Sequence, residues 1–194
     1  NPEPSGPVDY LFICMEPSLG HWARSAEEAK SRVAAGFRNF LAGIDPMLLH
    51  FAVRQFLCRN GQRYHVTDFS KGAMLVERAG SARTARYDRW YDLLQEEVGL
   101  LTVPDSHVVA VGGDVASHLK KREFSRPVSQ VLHYSPLAGR ARSECVRGRE
   151  HEFAVFAKGT SKSDLLAMAR AVLSDAAVPP DIYRDALSII ERAK

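Results

Sequence analysis

The stretch HVVAVGGDVASHLKKR, residues 107–122, decides the fold. Its first part, 107–113, is a short apolar run that ends in two glycines, as a buried strand does before a turn. The part that follows, 114–122, is predicted to be a helix. A buried strand that leads directly into a helix is the repeating unit of a parallel α/β sheet.

The rest of the chain repeats this alternation. A buried strand is predicted at 9–15 (DYLFICM), a short strand at 63–69 (RYHVTDF) and a fourth strand at 128–134 (VSQVLHY). Helices are predicted at 25–43, 45–61, 85–101, 162–176 and 179–194 from their start and stop residues and apolar spacing. The segment 70–84 is predicted to be a loop with some helical content. We therefore expect one three-layer α/β/α domain over residues 9–194, with a central, mostly parallel four-stranded sheet, after a flexible lead at 1–8.

Composition narrows the class of protein. The net charge of +3 permits a polyanionic partner without requiring one. The basic residues cluster in 120–126 and 139–150, on either side of the last predicted strand, and this favours a phosphate-facing surface over a merely solvated face. The three cysteines are far apart, which argues against a disulfide framework, a zinc ribbon or an iron–sulfur cluster. We expect a reducing, cytoplasmic setting, with no membrane span and no signal peptide.

The carboxyl ends of the predicted strands carry the candidate functional residues. Glu16 follows the first strand, Asp68 ends the second, and His133 lies at the end of the fourth. Ligands bind at this edge of parallel sheets. Each residue taken alone is more often structural, as a turn, a cap or a hydrogen-bonded core histidine. Two carboxyl groups and a histidine at one edge nevertheless form a candidate catalytic group.

These motifs, over roughly residues 9–142, resemble the uracil-DNA glycosylase superfamily. LFICMEPSLGHWA is similar to its first motif, HVTDFSKG to its base-reading segment, and VVAVGGDVASHL to its third strand and helix. VLHYSPLAGRAR is similar to its His-Pro-Ser-Pro-Leu-Ser motif, with Tyr134 in place of a proline. The resemblance implies that Glu16 handles the water, that His133 assists the leaving base, and that the base is flipped into a pocket.

The same resemblance implies the DNA contacts. It places Ser135 at a phosphate and Leu137 in the base stack as a wedge beside arginines, although a buried turn leucine is the alternative. The residues expected to contact DNA are Ser135, Leu137, Arg140, Arg142, Gly112 and Gly113.

Three departures from the family pattern bear on the substrate. Glu16 stands where the family has Asp or Asn, so the water would sit elsewhere. Asp68 stands in place of a base-reading asparagine. An ionised aspartate only accepts hydrogen bonds, which suits the amino group of cytosine, whereas a protonated one could mimic asparagine and read uracil. Ser18 replaces a bulky tyrosine and leaves room for a 5-substituent. The usual stacking phenylalanine is missing. Trp22, Phe37, Phe40 or Phe69 is expected to supply the stacking face, with core packing as the alternative for all four.

We therefore expect a DNA glycosylase that hydrolyses the N-glycosidic bond of a 5-modified cytosine, such as the (glucosyl-)hydroxymethylcytosine of phage DNA. The resemblance extends in this respect to the anti-phage glycosylases and implies a bacterial protein. The alternatives are a uracil or mismatch glycosylase of base-excision repair, an inactive family member that binds DNA, and a small-molecule enzyme that uses VGGDVASHL for phosphate. We expect a monomer that needs no cofactor and no metal and whose partner is DNA.

Overall fold

The structure, a computed structural model, describes residues 6–17, 19, 23–37, 44–58, 60–73, 82–152, 154, 161–175 and 180–192. The strands are β1 (Tyr10–Cys14), β2 (Tyr64–Asp68), β3 (His107–Val111) and β4 (Val128–Val131). The first helices are α1 (Ala26–Ala34), α2 (Ile44–Ala52, followed by a π-helical turn Val53–Leu57), α3 (Arg83–Leu101) and α4 (Gly113–Lys121). A 3-10 turn (Pro136–Ala138) then precedes α5 (Gly139–Val146), and α6 (Lys162–Asp175) and α7 (Pro180–Arg192) follow.

The four strands form one sheet in the order β2-β1-β3-β4, and every pair is parallel. In register, Cys14 lies opposite Asp68, and Val111 lies opposite Val131. All four carboxyl ends therefore meet at one edge of the sheet. The predicted α/β class with a parallel four-stranded sheet is confirmed.

Both faces of the sheet are buried at its two central strands, β1 and β3, whereas β4 is mostly exposed. On one face Leu11, Ile13 and Ala110 belong to a core cluster with Leu94 of α3 and Leu119 of α4. Alternation along a strand directs the intervening residues to the other face. Those residues, Phe12, Cys14, Val109 and Val111, are also buried. A sheet covered on two sides explains why β1 and β3 are continuous apolar runs.

The chain divides into two compact units, which we describe separately. The sheet unit consists of Asn1–Ala34 and Cys58–His133, and the helical unit of Ala35–Leu57 and Tyr134–Lys194. The helical unit has a core cluster of its own, which contains Met47, Phe51, Ala169 and Leu173. Each unit combines separate stretches of chain, and a single domain over 9–194 stays a prediction.

Several boundaries differ from the sequence-based prediction. Val8 is 2% exposed and its N–H donates to the Leu101 carbonyl, so the flexible lead predicted at 1–8 is too long at its C-terminal end. Strand β4 ends at Val131, not at residue 134. The Val131 carbonyl accepts a hydrogen bond from the Gly112 N–H, and at Gly112 the neighbouring strand β3 turns into α4, so β4 has no strand to pair with beyond this point. The helix predicted at 25–43 is observed as α1, which ends at Ala34. Residues 38–43 lie outside the described part.

Candidate active site at the carboxyl edge of the sheet

Glu16 is the most tightly held of the candidate residues. Its side chain is 3% exposed. Arg83 of α3 donates from Nε and NH2 to Glu16 Oε1 at 3.3 and 3.2 Å, and an Arg86 nitrogen lies 3.6 Å from the same oxygen. The Tyr87 hydroxyl donates to Oε2 at 3.2 Å. Helical spacing brings these three side chains to one side of the first turns of α3, facing the end of β1.

This setting defines what Glu16 can do. Two guanidinium groups offset its charge and hold its carboxylate in one orientation. Burial, and then the Glu16 carboxylate, raise the pKa of Tyr87 well above its usual range, so the phenol remains a donor. An oxygen that accepts one hydrogen bond retains a second lone pair, so Oε2 can still accept from a water. The site is therefore suited to orienting a water.

Asp68 has the opposite surroundings. It ends β2, opposite Cys14, and is partly buried. Among the described residues its carboxyl oxygens have no hydrogen-bond or ion-pair partner within contact distance. Burial raises the pKa of Asp68 to about 7, with Lys71 opposing this shift and Glu16 and Glu97 adding to it. Near neutral pH this carboxyl group therefore exists both as a hydrogen-bond donor and as an acceptor-only carboxylate.

A polar network fixes the backbone under Asp68. Lys71 donates from Nζ to the Asp68 carbonyl at 2.6 Å, to Thr67 Oγ1 at 2.6 Å and to Glu97 Oε2 at 2.5 Å. Thr67 Oγ1 in turn lies 2.8 and 2.9 Å from the two oxygens of Glu97. The network joins the turn after β2 to the middle of α3. It anchors the strand end from which the Asp68 side chain projects.

His133 and Gly112 meet at the same edge of the sheet unit. A Cβ placed on Gly112 would lie 3.6 Å from both Cβ and Cδ2 of His133. Gly112 has φ +98°, a conformation that favours glycine, and its N–H donates to the Val131 carbonyl at 2.9 Å. Gly113 begins α4. The glycine pair thus forms the turn from β3 into α4, beside the predicted catalytic histidine.

The predicted DNA contacts Ser135, Leu137, Arg140 and Arg142 lie in the helical unit. Leu137 is 94% exposed on the 3-10 turn, so the alternative of a buried turn leucine is wrong. Arg142 donates from NH1 to the Ser135 carbonyl at 2.8 Å and so ties α5 to this turn. Arg140 is exposed and pairs with Glu144 at 2.9 Å. An exposed pair of this kind is weak, so phosphate can displace it.

Besides Asp68, the residues predicted to line the base pocket include Ser18, Trp22 and Phe69, and the structure describes one of these three. Ser18 and Trp22 lie outside the described residues. Phe69 is 0% exposed, and its ring stacks on Tyr87 with centroids 4.3 Å apart. The ring also contacts Tyr91 and His118 edge or face on, within the core. Phe69 is therefore a core residue, as the alternative of core packing predicts.

A cleft of about 300 Å³ opens beside the arginine that holds Glu16. It is lined by the first turn of α3 and one side of α4, including Arg83, Thr84, Ser117 and Lys121. Arg83 NH1 also pairs with Asp114 on the same cleft. Cations and hydroxyl groups around such a space suit an anionic group, while Asp114 reduces the net charge.

Sequence reasoning missed the residues that support the two carboxyl groups. Arg83, Arg86 and Tyr87 hold Glu16, and Lys71 and Glu97 support the strand that carries Asp68. One signal was present: Arg83, Arg86 and Tyr87 are three and four residues apart, which places polar groups on one face at the start of α3. The Lys71–Glu97 pair joins residues 26 positions apart and has no local signal.

The described residues contain neither a metal-binding cluster nor a membrane-spanning helix. In the described ranges, no group of three or more His, Cys, Asp and Glu side chains could hold a metal ion. No helix in the same ranges has the length and apolar character to cross a bilayer.

Compared with protein-family models and with curated protein sequences, the chain matches none. The resemblance to the glycosylase superfamily thus rests on its own motifs and remains a prediction.

Proposed function

We propose that this protein is a DNA glycosylase that flips a 5-modified cytosine out of DNA and hydrolyses its N-glycosidic bond, leaving an abasic site. One observation carries the proposal. Asp68, a carboxyl group with a pKa of about 7 and no ion-pair partner in the described part of the chain, lies at the carboxyl edge of a parallel sheet near a second, firmly held carboxylate, Glu16. Carboxyl groups with such contrasting surroundings are typical of catalytic sites.

The chemistry assigns a role to each residue. The N-glycosidic bond breaks with positive charge developing on the sugar and negative charge on the base. Glu16 stabilises the sugar and orients a water, whose oxygen bonds to the anomeric carbon while its proton passes to the Glu16 carboxylate. His133 donates to the departing base, which leaves with the bonding electrons. Ionised Asp68 accepts from the exocyclic amino group of cytosine.

The test is base release from duplexes that contain uracil, cytosine, hydroxymethylcytosine or glucosylated hydroxymethylcytosine, read by mass spectrometry at pH 8. We expect release of a modified cytosine, and none by Glu16→Ala. No release from any of the four duplexes would reject the proposal and favour an inactive protein that binds DNA.

A second candidate, uracil excision, is favoured by the same pKa of about 7. Below that pH Asp68 is mostly protonated and presents one donor and one acceptor, as an asparagine does. It then complements O4 and N3–H of uracil. Release of uracil at pH 6 with little at pH 8 would support this second activity.

A further inference from the structure

The Lys71–Glu97 ion pair lies under the strand end that carries Asp68. Lys71 reaches from the turn after β2, and Glu97 reaches from α3. The ammonium group contacts the Asp68 carbonyl at 2.6 Å, whereas Glu97 meets this strand through Thr67 and Lys71. Lys71 therefore contacts the Asp68 backbone directly, whereas Glu97 contacts only the neighbours of Asp68, which are Thr67 and Lys71.

We infer that Lys71 and Glu97 are positioning residues that set the pH at which the Asp68 carboxyl changes from donor to acceptor, and thereby the class of base edge that the site takes. The first half of this inference concerns the protein alone. The second half, the choice of base, rests on the proposed glycosylase function.

Among the other groups near Asp68, Glu16 also raises the pKa of that carboxyl, but Glu16 is placed in the chemical step. The charged and titratable side chains around it come from β1, β2, the turn after β2, and α3: Cys14, Glu16, His65, Lys71 and Glu97. Burial raises the pKa of the Cys14 thiol and lowers the pKa of His65, so both are uncharged near neutral pH. Arg83 and Arg86 offset Glu16. Lys71 and Glu97 remain as the charges that substitution can change separately.

The two members of the pair act on Asp68 with opposite sign. The Lys71 cation stabilises ionised Asp68, and the Glu97 carboxylate destabilises it. Lys71→Met therefore moves the Asp68 titration to higher pH, and Glu97→Gln moves it to lower pH. Each change is expected to alter the ratio of protonated to ionised Asp68 at a fixed pH by about threefold, or about half a pH unit.

The experiment follows the Asp68 carboxyl carbon by NMR in protein labelled at aspartate, with Asp68→Asn identifying the signal. Lys71→Arg keeps the charge and should titrate as the natural protein does. Arg122→Met removes an arginine that pairs with Asp88 on α3, and serves as a control for a lost ion pair elsewhere in the sheet unit. It should leave the Asp68 titration unchanged.

Shifts of opposite sign in the two variants support the inference. Shifts of the same sign, or none, overturn it. If Lys71→Met does not fold, Glu97→Gln alone tests the inference, because the Asp68 titration in that variant must move to lower pH. Base release by the same variants tests the second half: the pH of crossover between uracil and modified cytosine should move with the titration. Opposite titration shifts without any base release would support the control of the Asp68 titration by Lys71 and Glu97, and would reject the glycosylase proposal.

Discussion

At the scale of single residues, the site contains two carboxyl groups whose surroundings differ. Glu16 is buried with two arginines and a tyrosine hydroxyl, which fix its position and offset its charge. Asp68 lies near it, and burial raises the pKa of its carboxyl group to about 7. The first is suited to orientation and the second to a change of protonation in the physiological range.

Replacing Glu16 tests its role in the chemical step. We expect Glu16→Ala to abolish base release and to retain DNA affinity, because the DNA contacts come from other residues. The variant should also lose about 2 kcal/mol in the free energy of unfolding, since Arg83 and Arg86 lose their carboxylate.

Glu16→Gln is the matched control, because it keeps the size of the side chain and can still accept from Tyr87. Base release and filter-binding measurements on both variants test whether Glu16 acts in the chemical step and not in DNA binding. Full activity in Glu16→Ala would remove Glu16 from the mechanism.

The raised pKa of Asp68 also predicts how stability depends on pH. Between its ordinary pKa of 3.8 and about 7, the folded protein binds more proton at this site than the unfolded chain does. The free energy of unfolding should therefore fall as pH rises through this window. The full linkage is about 4 kcal/mol, and we expect less because Asp68 is partly accessible.

Urea unfolding at pH 5 and pH 8 measures this effect against Asp68→Asn, which cannot titrate. The natural protein should lose more stability between the two pH values than the variant. An equal loss in both proteins would show that Asp68 titrates normally.

At the scale of elements, local sequence predicts the strands better than their ends. The apolar runs of β1 and β3 predict buried parallel strands, and the Ser25 cap of α1 is observed, with its hydroxyl accepting from the Glu28 N–H. Helix α5 was not predicted, because it begins at a glycine, is rich in arginine and buries no residue. The end of β4 depends on where β3 turns away, and no local pattern in 128–134 indicates that.

The turn from β3 into α4 requires a glycine at position 112. We expect Gly112→Ala to destabilise the fold by about 1–2 kcal/mol because of its φ of +98°, not because of crowding. The matched control is Gly99→Ala within α3, where an added Cβ meets nothing within 4 Å. Helix propensity predicts that this control gains about 0.5–1 kcal/mol. Thermal unfolding of the two variants tests the contrast, which equal effects would contradict.

Helix α5 and the turn before it carry the predicted DNA surface. Replacing Arg140 and Arg142 with alanine should weaken DNA binding and reduce the slope of log K against log salt by about 1–2, because each phosphate contact contributes close to one. Arg32→Ala in α1 is a suitable control, since Arg32 forms a similar exposed pair with Glu28. An unchanged salt slope in the double variant would remove both arginines from the DNA surface.

At the scale of the whole molecule, the motif that carries the resemblance crosses from one unit to the other. His133 closes the sheet unit, and Tyr134 begins the second stretch of the helical unit. Sequence placed Glu16, Asp68 and Gly112 at the carboxyl edge of the sheet, because parallel strands end together. Sequence could not indicate that Arg83 pairs with Glu16 or that Glu97 pairs with Lys71, because these two pairs form through tertiary packing.

The measurement that tests the central claim most directly is base release against pH, from one duplex that carries both a uracil and a glucosylated hydroxymethylcytosine. Release of the modified cytosine should rise, relative to uracil, as pH increases through about 7, where Asp68 ionises. The Asp68→Asn variant should favour uracil at every pH. A ratio that does not change with pH in the natural protein, or an unchanged ratio in Asp68→Asn, would contradict the assignment of Asp68 as the reader of the base.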